Sequence, residues 1–201
     1  WHHVAVVYDA SKIGEDRSVL YFDRVAQLAI TNFVAAGPTA FCNAYLYIGS
    51  RANKDYKFDG DLDDIRISNA ALAPADFLQS RSDEDADARV VAYWPFDRGS
   101  ELVDATGHGN ALAPGSGVVF SNSVAVLDGS QTAFHTTDTL DLTAYANLTV
   151  ECFLRTVVGN GTSMVLEHSA NATNNPGAFA LSLTGETLIG GFRTDDGANY
   201  D

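Results

Sequence analysis

Hard oxygen donors cluster at two places in this 201-residue sequence. Asp104, Gly107 and Asn110 lie in the run Asp104-Ala105-Thr106-Gly107-His108-Gly109-Asn110 and offer a carboxylate, a backbone carbonyl and an amide or carbonyl from one tight loop. Asp63, on a strand that follows Gly60, brings a further carboxylate. Calcium takes about six to eight such ligands from carboxylates, amides and turn carbonyls, so a structural calcium ion is the chemistry this donor set suits. The same residues also suit a plainer role, in which Asp104 and Asn110 fix a turn through side-chain to backbone hydrogen bonds and Asp63 pairs with an arginine. A second reading takes Asp61, Asp63 and Asp64 as the paired acids of a glycoside hydrolase, because alternate strand positions share a face and a retaining pair needs carboxyls about 5–5.5 Å apart.

Other reactive residue types lack the required spacing. His2, His3, His108, His135 and His168 are scattered without ligand spacing and read as structural or surface residues. No serine sits in a nucleophile elbow, and Gly190-Gly191 and the Gly159–Gly161 pair lack the strand-loop-helix context of a phosphate cradle. The two cysteines, Cys42 and Cys152, read first as small buried hydrophobes, with a single bridge between them as the alternative. Asn147, Asn160 and Asn171 open glycosylation acceptor patterns, relevant only to a eukaryotic secretory source.

The elements that must position these residues are strands. Short β-branched and aromatic runs punctuated by Gly, Asn and Asp recur at His3–Tyr8, Ser18–Phe22, Tyr45–Ile48, Ile65–Ile67, Val90–Phe96, Leu148–Val157, Met164–Glu167, Phe179–Leu183 and Thr187–Phe192. This spacing predicts an all-β sandwich or barrel. One short helix is expected over 73–78, with Pro74 in its first turn and Asp76 early, capping an edge of the sandwich. Trp94, Phe96, Tyr8, Phe153 and Phe192 sit in apolar strands and read as core rather than as a sugar platform. The polar run 80–89 reads as a solvated connection, which divides the chain into a block of 1–80, an acidic linker of 81–88 and a block of 89–201.

A hydrophobic share of 46% is ample for a core. The net charge of −14 repels phosphate backbones and anionic lipid, so nucleic acid and membrane partners are disfavoured. No stretch reaches the roughly 18 apolar residues of a membrane span. The chain opens at Trp1 inside an evident strand, which suggests a fragment or a repeat unit cut at an arbitrary phase.

Trp1-His2-His3-Val4-Ala5-Val6-Val7-Tyr8-Asp9, Leu20-Tyr21-Phe22-Asp23, Tyr47-Ile48-Gly49, and Phe58-Asp59-Gly60-Asp61-Leu62-Asp63-Asp64-Ile65-Arg66-Ile67 with Ala71-Leu72 resemble the C-terminal half of bacterial laminin-G-like, concanavalin A-like domains. Ala92-Tyr93-Trp94-Pro95-Phe96-Asp97, Val103–Asn110, Val126-Leu127-Asp128-Gly129 and Leu148-Thr149-Val150-Glu151 resemble the N-terminal half. The resemblance implies a two-sheet antiparallel jelly-roll sandwich, an extracellular or cell-surface location of bacterial type, and calcium at Asp104, Gly107, Asn110 and Asp63. It also implies a non-catalytic module that binds glycan or extracellular protein, or packs against copies of itself. The acidic cluster lacks the Glu-rich strand of the family's glycoside hydrolases.

The two halves stand here in the reverse of the family's order. Joined in that order they make one domain of ordinary size, short of about ten residues at the junction, within the usual length of a connecting loop. A half-sandwich alone would expose its inner face and bare strand edges. The halves are therefore expected to close within the chain, within a tandem array, or head-to-tail between copies in a filament.

Overall fold

The computed structural model describes residues 1–27, 41–52, 55–80, 88–116, 118–130, 134–156, 161–169 and 178–192. Its strands are β1 (His2–Tyr8), β2 (Ser18–Phe22), β3 (Val25–Ala26), β4 (Asn43–Ile48), β5 (Asp59–Ser68), β6 (Val90–Trp94), β7 (Leu112–Pro114), β8 (Val118–Phe120), β9 (Ala125–Asp128), β10 (Phe134–Thr136), β11 (Leu140–Asp141), β12 (Leu148–Thr156), β13 (Thr162–Ser169), β14 (Phe179–Thr184) and β15 (Thr187–Phe192). They form two antiparallel sheets. The first runs β3-β2-β1-β12-β5-β9-β8, with β6 also paired to β5; the second runs β15-β14-β13-β4-β10-β7, with β11 also paired to β4.

Strands from before and after residues 81–88 interleave in both sheets. β12 lies between β1 and β5, pairing Val4 with Cys152 on one side and Arg66 with Glu151 on the other. In the second sheet β4 lies between β13 and β10. One apolar core results: Val4, Val6 and Tyr8 share it with Ala92, Trp94 and Phe96. Each large side chain enclosed there contributes on the order of 2 kcal/mol. Residues 81–87 of the expected linker lie outside the described residues.

β1 is buried on both faces after its first residue. Its inward Val4, Val6 and Tyr8 meet the core, while Ala5 and Val7 pack with Leu72 and Phe77 on the outer side. The expected helix over 73–78 is instead a three-residue 3₁₀ turn, Pro74–Asp76, because the backbone is already extended again at Phe77. The segment covers the outer face of the first sheet rather than its edge. Leu78 packs there with Val90, Tyr93 and Phe153, so Phe153 belongs to this outer cluster and not to the main core.

β5 is longer than its apolar centre suggests, beginning at Asp59. A register shift against β12 leaves Asp64 at φ 47° in a bulge, and this turns its carboxylate toward β6. Both cysteines are thiols. No helix among the described residues is long and apolar enough to cross a membrane.

Candidate calcium loop and candidate ligand face

The Asp104–Asn110 loop folds back on the free edge of β6. Asp104 Oδ1 accepts hydrogen bonds from the Tyr93 amide (3.1 Å), the Thr106 amide (3.0 Å) and the Thr106 hydroxyl (2.6 Å). Its Oδ2 accepts from the Asn110 amide (3.2 Å) and the Asn110 side chain (2.8 Å). Burial alone would raise this carboxyl, but these donors outweigh it and hold its pKa below the ordinary value. Ala105 N–H donates to Tyr93 O, and the His108 ring and Asn110 side chain both donate to Val91 O. The loop therefore supplies the partners that an edge strand lacks. Gly107, at φ +75°, makes the turn possible, and its N–H donates to Asp104 O.

Asp63 stands on β5 opposite Phe153, is buried, and accepts the Asp64 amide through Oδ1 at 3.1 Å. Asp64 accepts the Tyr93 hydroxyl at 2.5 Å. Burial, this bond and the charges of Asp64, Asp97 and Asp63 together raise the Tyr93 pKa. Tyr93 thus touches Asp104 through its backbone and Asp64, the neighbour of the predicted donor Asp63, through its hydroxyl. Among the described residues no group of three or more His, Cys, Asp or Glu side chains converges as a metal cluster. Of the hydrolase candidates, Asp61 is ion-paired with Arg155 and Asp64 is held by Tyr93.

The histidines divide by environment. His2 pairs with Asp23 at the surface, whereas His3 is buried against Glu151. His168 faces the core, with Nε2 donating to Leu140 O (2.9 Å) and Nδ1 accepting the Ala178 amide (3.1 Å). Burial lowers its pKa to about 4, so it is neutral. Asn147 accepts the Ala10 amide at 2.8 Å, while Asn160 and Asn171 lie outside the described residues.

A ring cluster on the second sheet was not expected from the sequence. Tyr45 and Tyr47 alternate with buried Ala44, Leu46 and Ile48 and so point away from the core, and His135 of β10 pairs across from Tyr47. The three centroids form a triangle of 6.3, 6.4 and 6.2 Å, with Tyr47 and His135 nearly parallel at 17°. All three rings are half-buried. Glu167 of β13 stands beside Tyr47, and its Oε2 accepts the Ala52 amide at 3.1 Å. Burial pushes its pKa up to about 6 despite the nearby Arg51, and burial, Glu167 and Tyr45 in turn raise Tyr47. Aromatic faces beside one well-placed acid can hold the C–H faces and hydroxyls of a sugar. The alternation in β4 was the available signal; it shows that the tyrosines face outward but not that His135 and Glu167 join them.

The fold is that of a concanavalin A-like jelly-roll sandwich. Residues 1–76 match the laminin G family model described as the concanavalin A-like lectin/glucanases superfamily, in agreement with the motifs from Trp1 to Leu72. No curated protein and no solved structure matches the chain.

Proposed function

We propose that the chain is a non-catalytic binding module, working outside the cell or on its surface, whose ligand is a glycan held on the outer face of the second sheet. The carrying observation is the Tyr45–Tyr47–His135 ring triangle beside Glu167. The net charge of −14 favours a neutral ligand over an anionic one. The non-catalytic reading is supported by the engagement of Asp61 with Arg155 and of Asp64 with Tyr93, which leaves these acids committed to structure. The test is titration calorimetry with neutral oligosaccharides, in which Tyr47→Ala weakens binding at least tenfold. Undiminished binding by that variant defeats the assignment.

Calcium enters this reading as a structural ion held by Asp104, Asp63, the Gly107 carbonyl and Asn110. Bound there, it would supply a rigid link between the β6 loop and β5. It would have to replace several of the donors that now engage Asp104. A melting temperature that rises with calcium and falls back with EDTA supports it, and an unchanged one removes it.

The two blocks, reversed relative to the family, are proposed to close on each other within one chain, as their interleaved strands suggest. A particle of 21.4 kDa in solution is then expected, whereas a concentration-dependent ladder of larger species favours head-to-tail exchange.

A further inference from the structure

The 72–78 segment lies on the outer face of the first sheet without joining its ladder. Among the described residues it makes no backbone-to-backbone hydrogen bond to a strand, and the bond from Asp76 N–H to Ala73 O is internal. Side chains hold it instead. Thr149 Oγ1 accepts the Leu72 amide (3.0 Å), Arg66 donates to Asp76 O (2.8 Å), Glu151 Oε2 accepts the Leu78 amide (2.9 Å) and Arg24 donates to Leu78 O (3.0 Å). Arg24 reaches that carbonyl from the β2–β3 turn, where it and Asp23 stand at φ 65° and 48°. Glycine would make this turn without strain, but two charged side chains are kept there, and Asp23 uses its own to accept the His3 amide at 2.9 Å. An element tied down in this way opens at a lower free energy than a paired strand.

His3 lies beneath the segment in a defined protonation state. Glu151 accepts from Arg66 and from the Leu78 amide, and a carboxylate only accepts, so the proton of the His3 contact sits on Nε2. The other ring nitrogen, Nδ1, is then a bare acceptor, buried and without a partner. Phe77 stacks on the ring at 5.5 Å and Phe153 meets it edge-on at 5.2 Å, and neither offers an acceptor. A second proton has to go to Nδ1, where it makes a buried, charged N–H with nothing to receive it, a costlier state than an unused lone pair. The surrounding charges are already matched. Arg66 of β5 neutralises Glu151 of β12, Asp23 pairs with His2 and stands beside Arg24 in the turn, and Asp76 of the segment faces Arg89 at 3.7 Å.

We infer that His3 is an acid-operated latch for the 72–78 segment, closed while the ring is neutral and released when the second proton arrives. Lifting Phe77 off the ring lets water reach Nδ1 and satisfy the new N–H, so the charged ring favours the open segment and the neutral ring the closed one. Histidine is the side-chain type that gains its charge in mildly acidic water, which sets the range in which such a latch works. Release uncovers the outer face at Ala5, Val7 and Tyr21, while β1, β12 and β5 stay joined by their own ladders.

The experiment follows amide hydrogen exchange of the whole chain at pH 7 and pH 5, corrected for the intrinsic exchange rate, together with the nitrogen-15 resonances of the imidazoles. The Leu72 and Leu78 amides are expected to lose tenfold or more of their protection at pH 5 while the amides of β12 keep theirs. His3→Gln, whose side-chain amide still donates to Glu151 but takes up no proton, is expected to hold the segment equally at both pH values. Protection that does not change with pH, a loss shared by β12, or the same loss in His3→Gln overturns the latch. Should His3→Gln already free the segment at pH 7, the ring decides: titration of His3 in step with the loss at Leu78 supports the latch, and titration apart from it overturns it.

Discussion

His3 Nε2 lies 2.8 Å from Glu151 Oε2, and both side chains are buried under the 72–78 segment. Arg66 donates to the other oxygen of Glu151 through Nε at 2.7 Å and to Asp76 O at 2.8 Å, and the Leu78 amide donates to Glu151 Oε2 at 2.9 Å. One carboxylate thereby ties together β1, β5, β12 and the segment that covers them.

Removal of Glu151 leaves a buried guanidinium without its counter-charge and an amide without its acceptor. Glu151→Ala is expected to cost about 3–5 kcal/mol, while Glu151→Gln, which keeps an acceptor, costs less. Urea unfolding monitored by tryptophan fluorescence checks the order. Equal stability of the two variants would show that the retained acceptor contributes nothing and that the whole loss comes from the charge.

Asp104 carries the edge of β6 in the same manner. Asp104→Ala is expected to destabilise by about 2–4 kcal/mol, because the Tyr93, Thr106 and Asn110 amides lose their acceptor. Its folded pKa is depressed, so its contribution is present above the ordinary value of 3.8 and is lost as the pH falls below it. Denaturant titrations at neutral and acid pH should show the gap between the two proteins narrowing in acid, and a constant gap would contradict the assignment.

Much of this organisation is legible in the sequence, and the limits are physical. Val4–Tyr8 and Val90–Trp94 announce themselves as strands because every residue is apolar or aromatic, which follows from cover on both faces. Asp59–Asp64 is less plain, since Asp61, which pairs with Arg155, and Asp64, which pairs with Tyr93, break the apolar pattern until their partners are known. Glu151 reads as a solvent-facing strand residue, and only the 72–78 cover makes it interior. Asp104-x-x-Gly-x-x-Asn marks a tight loop correctly, yet the sequence does not say whether its oxygens face a cation or backbone amides. The ring triangle draws on β4 and β10, whose register no local pattern encodes.

Gly60 is a place where strands from before and after residues 81–88 meet at backbone distance. At φ +150°, an added Cβ would collide with Arg155 O and come within 2.8 Å of Thr156 Cα, both on β12. Backbone cannot yield as a flexible side chain can, so Gly60→Ala is expected to cost about 1–3 kcal/mol. Gly191→Ala, where nothing stands within 4 Å, serves as the control and should leave the urea midpoint nearly unchanged. A neutral Gly60→Ala would mean that β5 and β12 can separate there without penalty.

Neighbours Glu167 and His168 point to opposite faces of β13 and respond to pH in opposite senses. Glu167 is raised to about 6 from 4.5, so its folded form is favoured below pH 4.5 and that advantage is lost as the pH rises through 6. His168 is lowered to about 4 from 6.5, so its contribution is present above pH 6.5 and is lost as the pH falls toward 4. At about 1.4 kcal/mol per pH unit, the spans correspond to about 2 kcal/mol for Glu167 and about 3 kcal/mol for His168, and they oppose each other between pH 4.5 and 6. Glu167→Gln removes one side of the balance. It is expected to stabilise the protein by about 1–2 kcal/mol at pH 7, with the advantage gone by pH 4.5 and a steeper decline in between. Unfolding free energies at pH 7, 5.5 and 4.5 measure this directly. A stabilisation independent of pH would assign the gain to packing and not to the buried charge.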